Sequence, residues 1–156
     1  PDSAMVYAKT ATGDLAAARA NLVSAYRYLT AHGAEKVGVV GWCMGGFFSL
    51  QAALALPDEI DATVLYYGNI ADVTADQLRT LRMPVRAFFG EADSSIPLDA
   101  VHRFEARLEE AGVAHEVTTY AGAGHAFANP TGQNYEAGPA QDSWEKTLAF
   151  FVSALK

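Results

Sequence analysis

The chain has 156 residues, of which 51% are hydrophobic and 19% charged, and this composition suits one globular domain with a substantial core. Its formal net charge of −7 argues against nucleic acid or an anionic membrane surface as a partner, and favours a small-molecule substrate. No apolar run reaches the roughly 18 residues that a membrane-spanning helix needs. A single cysteine cannot form an internal disulfide, so we expect a cytoplasmic, reducing setting in which the thiol stays free.

The first half of the chain predicts a helix, a strand and a second helix. Residues 1–13 show little periodicity and are predicted as loop. Asp14 is a plausible N-cap for a helix with apolar residues at helical spacing, and Gly33 suits its left-handed end. The valine-rich run that leads to Gly41 predicts a buried parallel strand, and an alanine-rich helix follows over residues 45–56.

The second half alternates three predicted strands with helices. The strands are predicted at Ala62–Gly68, Val85–Gly90 and His115–Tyr120. Thr74 and Gln77 fit a capping box that begins a short helix ending near Arg82, and a longer helix closes at Gly112. The last helix is predicted to carry Trp144, Leu148, Phe151 and Leu155 on one face. This alternation predicts an α/β fold with a mostly parallel sheet, right-handed crossovers and helices on both faces.

Cys43 stands at the junction of the first predicted strand and the helix after it, in the pattern Gly41-x-Cys43-x-Gly45. This is the pattern of a nucleophile elbow, with sulfur in place of the more common serine oxygen. We expect the two glycines to let the backbone turn sharply and to keep Cβ atoms from colliding. The unpaired N–H groups of the following helix would stabilise a thiolate here, which makes Cys43 a candidate nucleophile.

Asp93 and His125 follow later predicted strands, so a thiol, a carboxylate and an imidazole all stand at strand ends. Reactive groups gather at the carboxyl ends of the strands in open parallel sheets. The chain order of nucleophile, acid and histidine is the order found in α/β-hydrolases. The imidazole can take the thiol proton and later protonate the leaving group, while the carboxylate fixes its tautomer. The backbone N–H of Met44 is then placed to hold the developing oxyanion.

Three segments and one strand end carry a family resemblance. They are Gly41-Trp42-Cys43-Met44-Gly45-Gly46, Phe89-Gly90-Glu91-Ala92-Asp93-Ser94-Ser95-Ile96-Pro97, Tyr120-Ala121-Gly122-Ala123-Gly124-His125-Ala126-Phe127 and Tyr66-Tyr67-Gly68. They resemble dienelactone hydrolases, and the similarity runs from about Leu15 to the C-terminus. The resemblance implies an α/β-hydrolase fold and a cysteine, a histidine and an aspartate that open cyclic enol esters such as dienelactone through a thioester, without metal or organic cofactor. It gives these roles to Cys43, His125 and Asp93, with the backbone of Met44 as oxyanion donor. For this chain we expect a hydrolase of small carboxylic esters or lactones.

One departure from the family pattern bears on the substrate. Family members that bind the carboxylate of dienelactone place an arginine in a His-x-Phe-Ala-Arg pattern, whereas this chain ends the same pattern with Asn129. Asparagine supplies no bidentate charge, so we expect weaker affinity for that carboxylate. An uncharged ester or lactone, or a different anion geometry, is then favoured. Trp42, Tyr67 and Phe127 are candidates, with Asn129, for lining the substrate pocket.

Length is the second departure. Members of the family carry a further N-terminal portion. By resemblance, that portion would supply a second oxyanion donor, a glutamate near the thiol and another substrate-binding arginine. We therefore expect residues 1–156 to form a single α/β-hydrolase-like domain that lacks the N-terminal strands, as the C-terminal portion of a longer chain. The elbow strand would then lie at one edge of the sheet, where the missing portion or a second copy in a homo-oligomer covers it.

Several plainer interpretations of the same residues stay open. Cys43 alone is compatible with a structural cysteine, and Asp93 with a turn residue. A non-catalytic ligand-binding domain and a redox-sensing thiol are the alternative functions, although the latter lacks a resolving cysteine. His32, His102 and His115 are expected to be solvated side chains. No cluster of histidine, cysteine and carboxylate has metal-ligand spacing, so the sequence predicts no metal site.

Overall fold

The computed structural model describes residues 6, 10 and 12–156. Its elements are α1 (Leu15–Ala31), β1 (Gly38–Trp42), α2 (Met44–Ala55), β2 (Ala62–Tyr66), α3 (Ala75–Leu78), β3 (Val85–Gly90), α4 (Leu98–Ala111), β4 (His115–Tyr120) and α5 (Ala137–Ala154). The strands form one parallel sheet in the order β1-β2-β3-β4. The predicted α/β fold with a parallel sheet is therefore confirmed. Among the described residues, no helix is long and apolar enough to cross a bilayer.

The predicted helix ends are partly confirmed. Thr74 and Gln77 form the capping box at the start of α3, and Gly112 closes α4 in a left-handed conformation with φ +70°. However, α3 ends at Leu78 rather than near Arg82. Most of the loop predicted over residues 1–13 lies outside the described residues, and its described members at 6, 10, 12 and 13 are helical, so the prediction is wrong for those four.

The strands differ sharply in burial. Every residue of β2 is buried, as expected for a strand with neighbours on both sides. By contrast β1 lies at the sheet edge, where Val40 and Trp42 remain 36% and 40% exposed. The prediction of a buried first strand is therefore wrong, because within the described residues β1 has a neighbour on one side only. The end of β2 at Tyr66 rather than Gly68 follows from the positive φ of +38° at Tyr67, which breaks the extended backbone.

Helices cover both faces of the sheet, as predicted. On one face, Gly41 of β1 lies against Gly45 and Ser49 of α2. On the other, the hydroxyl of Tyr66 donates to the carbonyl oxygen of Ser143 at 2.9 Å, so α5 packs on β2. Because adjacent strand residues point to opposite faces, Trp42 lies on the α5 side of the sheet.

The apolar residues predicted on one face of α5 are not its most buried residues. Ser143 and Thr147 are its fully buried residues, whereas Trp144 and Leu148 remain 46% and 47% exposed. The physical reason is the phenol of Tyr66, a buried polar group whose oxygen lies 2.7 Å from the Thr147 hydroxyl. Hydroxyl-bearing residues therefore turn inward, and the helix rotates Trp144 and Leu148 outward.

Candidate active site

Cys43 occupies a strained turn between β1 and α2. Its backbone has φ +55° and ψ −117°, a conformation that costs a non-glycine residue about 1–3 kcal/mol. Two backbone hydrogen bonds hold it there: its N–H donates to the carbonyl of Tyr66 at 3.0 Å, and its own carbonyl accepts from the N–H of Phe47 at 3.1 Å. The thiol is exposed at the carboxyl end of the sheet. This turn has the geometry expected of a nucleophile elbow.

The two elbow glycines have different roles. A Cβ at Gly41 would lie 2.1 Å from the carbonyl oxygen of Gly45 and 2.8 Å from the hydroxyl of Ser49, so only glycine fits. A Cβ at Gly45 would meet nothing within 4 Å. The expectation that both glycines prevent a collision is therefore right for Gly41 and wrong for Gly45. The close contact is between position 41 and the backbone carbonyl of Gly45, and a side chain at position 45 would point away from it.

Asp93 lies in the loop after β3. Its side chain is buried, and both of its carboxylate oxygens have hydrogen-bond partners. Oδ1 accepts from the backbone N–H groups of Ser95 and Ile96 at 2.8 and 3.1 Å. Oδ2 lies 2.7 Å from Nδ1 of His125. The turn-residue interpretation of Asp93 is thus correct for one oxygen, which shapes the loop, while the other oxygen faces the imidazole, as the predicted catalytic role requires.

His125 links the carboxylate to the thiol. Its Nδ1 faces Asp93, and its Nε2 lies 3.1 Å from Sγ of Cys43. The loop that carries it is fixed by Asn134, whose side-chain amide donates to the His125 carbonyl at 2.9 Å. The structure therefore brings the three predicted residues into one hydrogen-bonded chain, in which a proton can pass from sulfur to imidazole.

The first turn of α2 supplies free backbone donors beside the thiol. The first hydrogen bond of this helix runs from Phe47 to Cys43, so the N–H groups of Met44 and Gly45 have no partner within the helix. Such groups form a partial positive charge at a helix N-terminus. This is the position at which the sequence predicts the oxyanion donor, Met44.

Positive φ angles at non-glycine residues cluster around this site. In the described ranges they occur at Cys43, Tyr67 and Ala126, the last of which directly follows His125. The ring of Tyr67 meets the imidazole edge-on, with centroids 5.2 Å apart. Burial raises the pKa of Tyr67, and the negative charge of a Cys43 thiolate raises it further, so its hydroxyl stays protonated. The strain at Tyr67 and Ala126 left no sequence signal, because neither is glycine.

A largely apolar cavity of about 680 Å³ opens beside these residues. Trp42, Tyr67 and Asn129 line it, as predicted. Phe127 does not line it: the ring is fully buried among the rings of Tyr66, Tyr67 and Tyr120, so the prediction for this residue is wrong. His125 faces a second cavity of about 380 Å³.

Tyr135, Gln141 and Trp144 are among the residues of the larger cavity that sequence reasoning missed. Helical spacing placed Trp144 on an apolar face of the last helix, but spacing alone cannot show whether such a residue points into the core or toward a cavity. Its ring lies 6.3 Å from that of Trp42, whose own ring stacks on Tyr66 at 5.1 Å. These contacts join α5 to the strand that precedes the thiol.

The remaining histidines lie away from the site. His32 and His102 are exposed, and His115 is half-buried with Nδ1 2.7 Å from the carbonyl oxygen of Val113. Within residues 6, 10 and 12–156, no group of three histidine, cysteine or acidic residues is placed to hold a metal ion.

A parallel sheet with an elbow at one strand end defines the α/β-hydrolase class. The structure matches a dienelactone hydrolase-like promiscuous phosphotriesterase from metagenomic libraries with a TM-score of 0.83 and 22% identity, covering 99% of this chain and 67% of that one. The model of the dienelactone hydrolase family matches residues 2–155, and the chain belongs to this family.

Curated relatives agree with the family. "Protein usf" of Aquifex pyrophilus is 36% identical over 122 residues, which are 78% of this chain and 52% of that protein. A protein of Synechocystis sp. named "Putative carboxymethylenebutenolidase" is 34% identical over 130 residues, with the same shares of 78% and 52%. The chain thus spans about half the length of the curated relatives it matches.

Proposed function

We propose that this protein is a cysteine-dependent hydrolase of small carboxylic esters or lactones, similar to a carboxymethylenebutenolidase. The observation that carries the proposal is the hydrogen-bonded chain from Asp93 through His125 to Cys43, with distances of 2.7 and 3.1 Å. Membership of a hydrolase family supports the same class of reaction. The reaction needs no metal or organic cofactor, because the thiol, imidazole and carboxylate supply the nucleophile and the acid-base group.

Acylation is the first half of the proposed reaction. The thiol proton passes to Nε2 of His125, and sulfur forms a bond to the carbonyl carbon of the ester. The carbonyl oxygen becomes an oxyanion, which accepts a hydrogen bond from the backbone N–H of Met44. The intermediate then expels the alkoxide, which takes the proton from His125, and a thioester at Cys43 remains. Asp93 stabilises the imidazolium throughout and keeps Nδ1 protonated.

Deacylation reverses the roles. Water loses a proton to Nε2 of His125 as its oxygen forms a bond to the thioester carbon. The second intermediate breaks its carbon–sulfur bond and releases the carboxylic acid, and the sulfur recovers a proton from His125. No electron leaves or enters the protein, so the cycle closes on the original thiol.

The exposed edge of β1 bears on the whole protein. We propose that residues 1–156 belong to one α/β-hydrolase-like domain and form the C-terminal portion of a longer chain whose N-terminal part pairs with β1. The partly exposed Val40 and Trp42 and the greater length of the relatives support this. The same part would supply the second oxyanion donor next to that of Met44.

Ester turnover by the whole protein tests the function. We expect wild-type protein to hydrolyse 4-nitrophenyl acetate, and Cys43→Ala and His125→Ala to lose at least about 10³-fold in kcat/KM. His102→Ala is the matched control, because His102 is an exposed histidine outside the site and its loss should leave the rate unchanged. Acid-quenched wild-type protein should carry an acetyl group on Cys43 by peptide mass spectrometry.

Two results would contradict the proposed function. The first is turnover that survives in Cys43→Ala. The second is a wild-type protein that hydrolyses no activated ester while Cys43 is oxidised reversibly to a sulfenic acid by mild peroxide, which would favour a redox thiol instead.

A further inference from the structure

The larger cavity is aromatic and carries no ionised side chain. Trp42, Tyr67, Tyr135 and Trp144 supply rings, and none of the described residues that line it is an aspartate, glutamate, lysine, arginine or histidine. A flat apolar group bound there would gain contact with these rings. A charged group would lose hydration without meeting an opposite charge. Besides the hydroxyl and indole N–H groups of its aromatic residues, the cavity has two side-chain amides, Asn129 and Gln141, that can pair with polar groups of a ligand.

Asn129 presents a donor. Its Oδ1 already accepts from the backbone N–H of Thr131 at 3.2 Å and from the Thr131 hydroxyl at 3.1 Å. A backbone N–H can only donate, so the amide oxygen must face Thr131 and the NH₂ group must face away from it. The NH₂ group of Asn129 is thus the one left to meet a ligand.

Gln141 presents an acceptor. Its Nε2 donates to a carboxylate oxygen of Glu145 at 2.8 Å, and because a carboxylate can only accept, the orientation of the amide is fixed. The carbonyl oxygen of Gln141 is left as an acceptor, and the second N–H of its amide as a donor. Glu145 is hydrogen-bonded to this amide, so a carboxylate bound at Gln141 would meet a like charge nearby.

The N-terminus of α5 also borders the cavity through Ala137 and Ala140. Helix N-termini favour anions, but here the N-cap residue is Glu136, whose side chain makes no capping hydrogen bond. Glu136 lines the second cavity and not this one. Its negative charge lies at the same helix end and offsets the partial positive charge of α5.

We propose that the cavity beside the thiol selects uncharged aromatic esters or lactones that carry a neutral hydrogen-bonding group, and that it rejects their carboxylated counterparts. The donor of Asn129 matches a carbonyl oxygen, and the acceptor of Gln141 matches an N–H or O–H group. A carboxamide or hydroxyl can pair with either side chain without bringing a charge, whereas a carboxylate bound at Gln141 would lie near the negative charge of Glu145. This specificity rests on the proposed hydrolase function.

An isosteric pair of substrates tests the proposal on the whole protein. We expect 4-carbamoylphenyl acetate to be turned over with a kcat/KM about tenfold or more above that of 4-carboxyphenyl acetate, after division by their rates of hydroxide hydrolysis. A second pair places the same groups on the acyl side: the 4-nitrophenyl ester of 4-carbamoylbenzoic acid and the mono-4-nitrophenyl ester of terephthalic acid. A preference for the amide in either pair supports the proposal.

Two matched variants distinguish an effect of the cavity on substrate preference from an effect of the protein's net charge. Glu145→Gln and Glu109→Gln each remove one negative charge from an exposed position, but only Glu145 stands behind Gln141. We expect Glu145→Gln to reduce the preference for the amide about threefold and Glu109→Gln to leave it unchanged. Equal effects of the two variants would mean that net charge sets the preference, which would overturn the proposal.

Trp144 provides an independent measurement. In Trp144→Ala, the ratio of kcat/KM for 4-carbamoylphenyl acetate to that for methyl thioacetate should fall about tenfold. Tyr28→Ala removes an exposed aromatic ring from α1 and should keep the wild-type ratio. Equal or faster turnover of the carboxylated esters in both pairs would reject the proposed specificity while leaving the hydrolase function intact, whereas no turnover of any ester would reject the function itself.

Discussion

The three candidate catalytic side chains and the nearby cavity are positioned in different ways. Cys43, Asp93 and His125 are set by backbone: a strained turn, a buried carboxylate bonded to two N–H groups, and a loop tied by Asn134. The cavity is walled largely by exposed side chains, such as that of Trp144, on one helix and one loop. The difference teaches that the candidate catalytic groups are held by the backbone at the sheet end, whereas the lining of the cavity can change one side chain at a time.

Asp93→Asn should give the largest effect, because it changes one of the three side chains that the backbone holds in place. The N–H groups of Ser95 and Ile96 would retain the amide oxygen, so the NH₂ group would face Nδ1 of His125 and force that nitrogen to accept. Nε2 would then carry the proton and could not take one from Cys43. We expect kcat to fall on the order of 10²–10⁴-fold, as measured with 4-nitrophenyl acetate.

Far-UV circular dichroism and the urea midpoint provide the control for that variant, since both loop hydrogen bonds are retained. Unchanged turnover by a folded Asp93→Asn protein would show that the carboxylate does not set the tautomer.

Gly41→Ala tests whether backbone packing sets the position of the Cys43 thiol. The added Cβ would lie 2.1 Å from the carbonyl oxygen of Gly45, and backbone atoms cannot move aside cheaply. We expect the free energy of unfolding to fall by about 2–3 kcal/mol, with loss of turnover. Gly45→Ala is the matched control: its Cβ meets open space on a helix, so stability should change by less than about 1 kcal/mol. Similar losses in both variants would contradict the assignment of the close contact to Gly41.

Asn129→Arg tests whether a single side chain that lines the cavity can be replaced to change the substrate preference. The guanidinium would bring a positive charge and several donors into the cavity without touching the backbone of the elbow. We expect the preference between 4-carbamoylphenyl and 4-carboxyphenyl acetate to shift about tenfold toward the carboxylate, while kcat for 4-nitrophenyl acetate changes less than threefold. A shift that is absent would show that residue 129 does not contact the aromatic part of the substrate.

Periodicity and turn chemistry predicted the fold, because both are local. The capping box at Thr74, the left-handed Gly112 and the strand bounds of β3 and β4 agree with the structure. The predictions failed where the burial of a residue depends on segments that are far away in the sequence. The exposure of β1 depends on what lies beside it, and the rotation of α5 depends on the single phenol of Tyr66.

The three side chains of the candidate site could be found from sequence because each follows a strand. The cavity could not, since it depends on which way a helix turns. Trp144 was predicted only as part of an apolar helix face and lines the cavity, Phe127 was predicted in the pocket wall and lies in the core, and Gln141 gave no signal at all.

The position of His125 in the sheet order has an evolutionary consequence. It follows β4, whereas Cys43 follows β1, so the loop after Tyr120 must carry the imidazole across three strand spacings, roughly 14 Å in all. One residue more or less would shift the ring by up to about 3.5 Å, more than a hydrogen bond to sulfur tolerates. Surface loops ordinarily accept insertions and deletions. This one can vary in composition but not in length while the Asp93–His125–Cys43 chain persists.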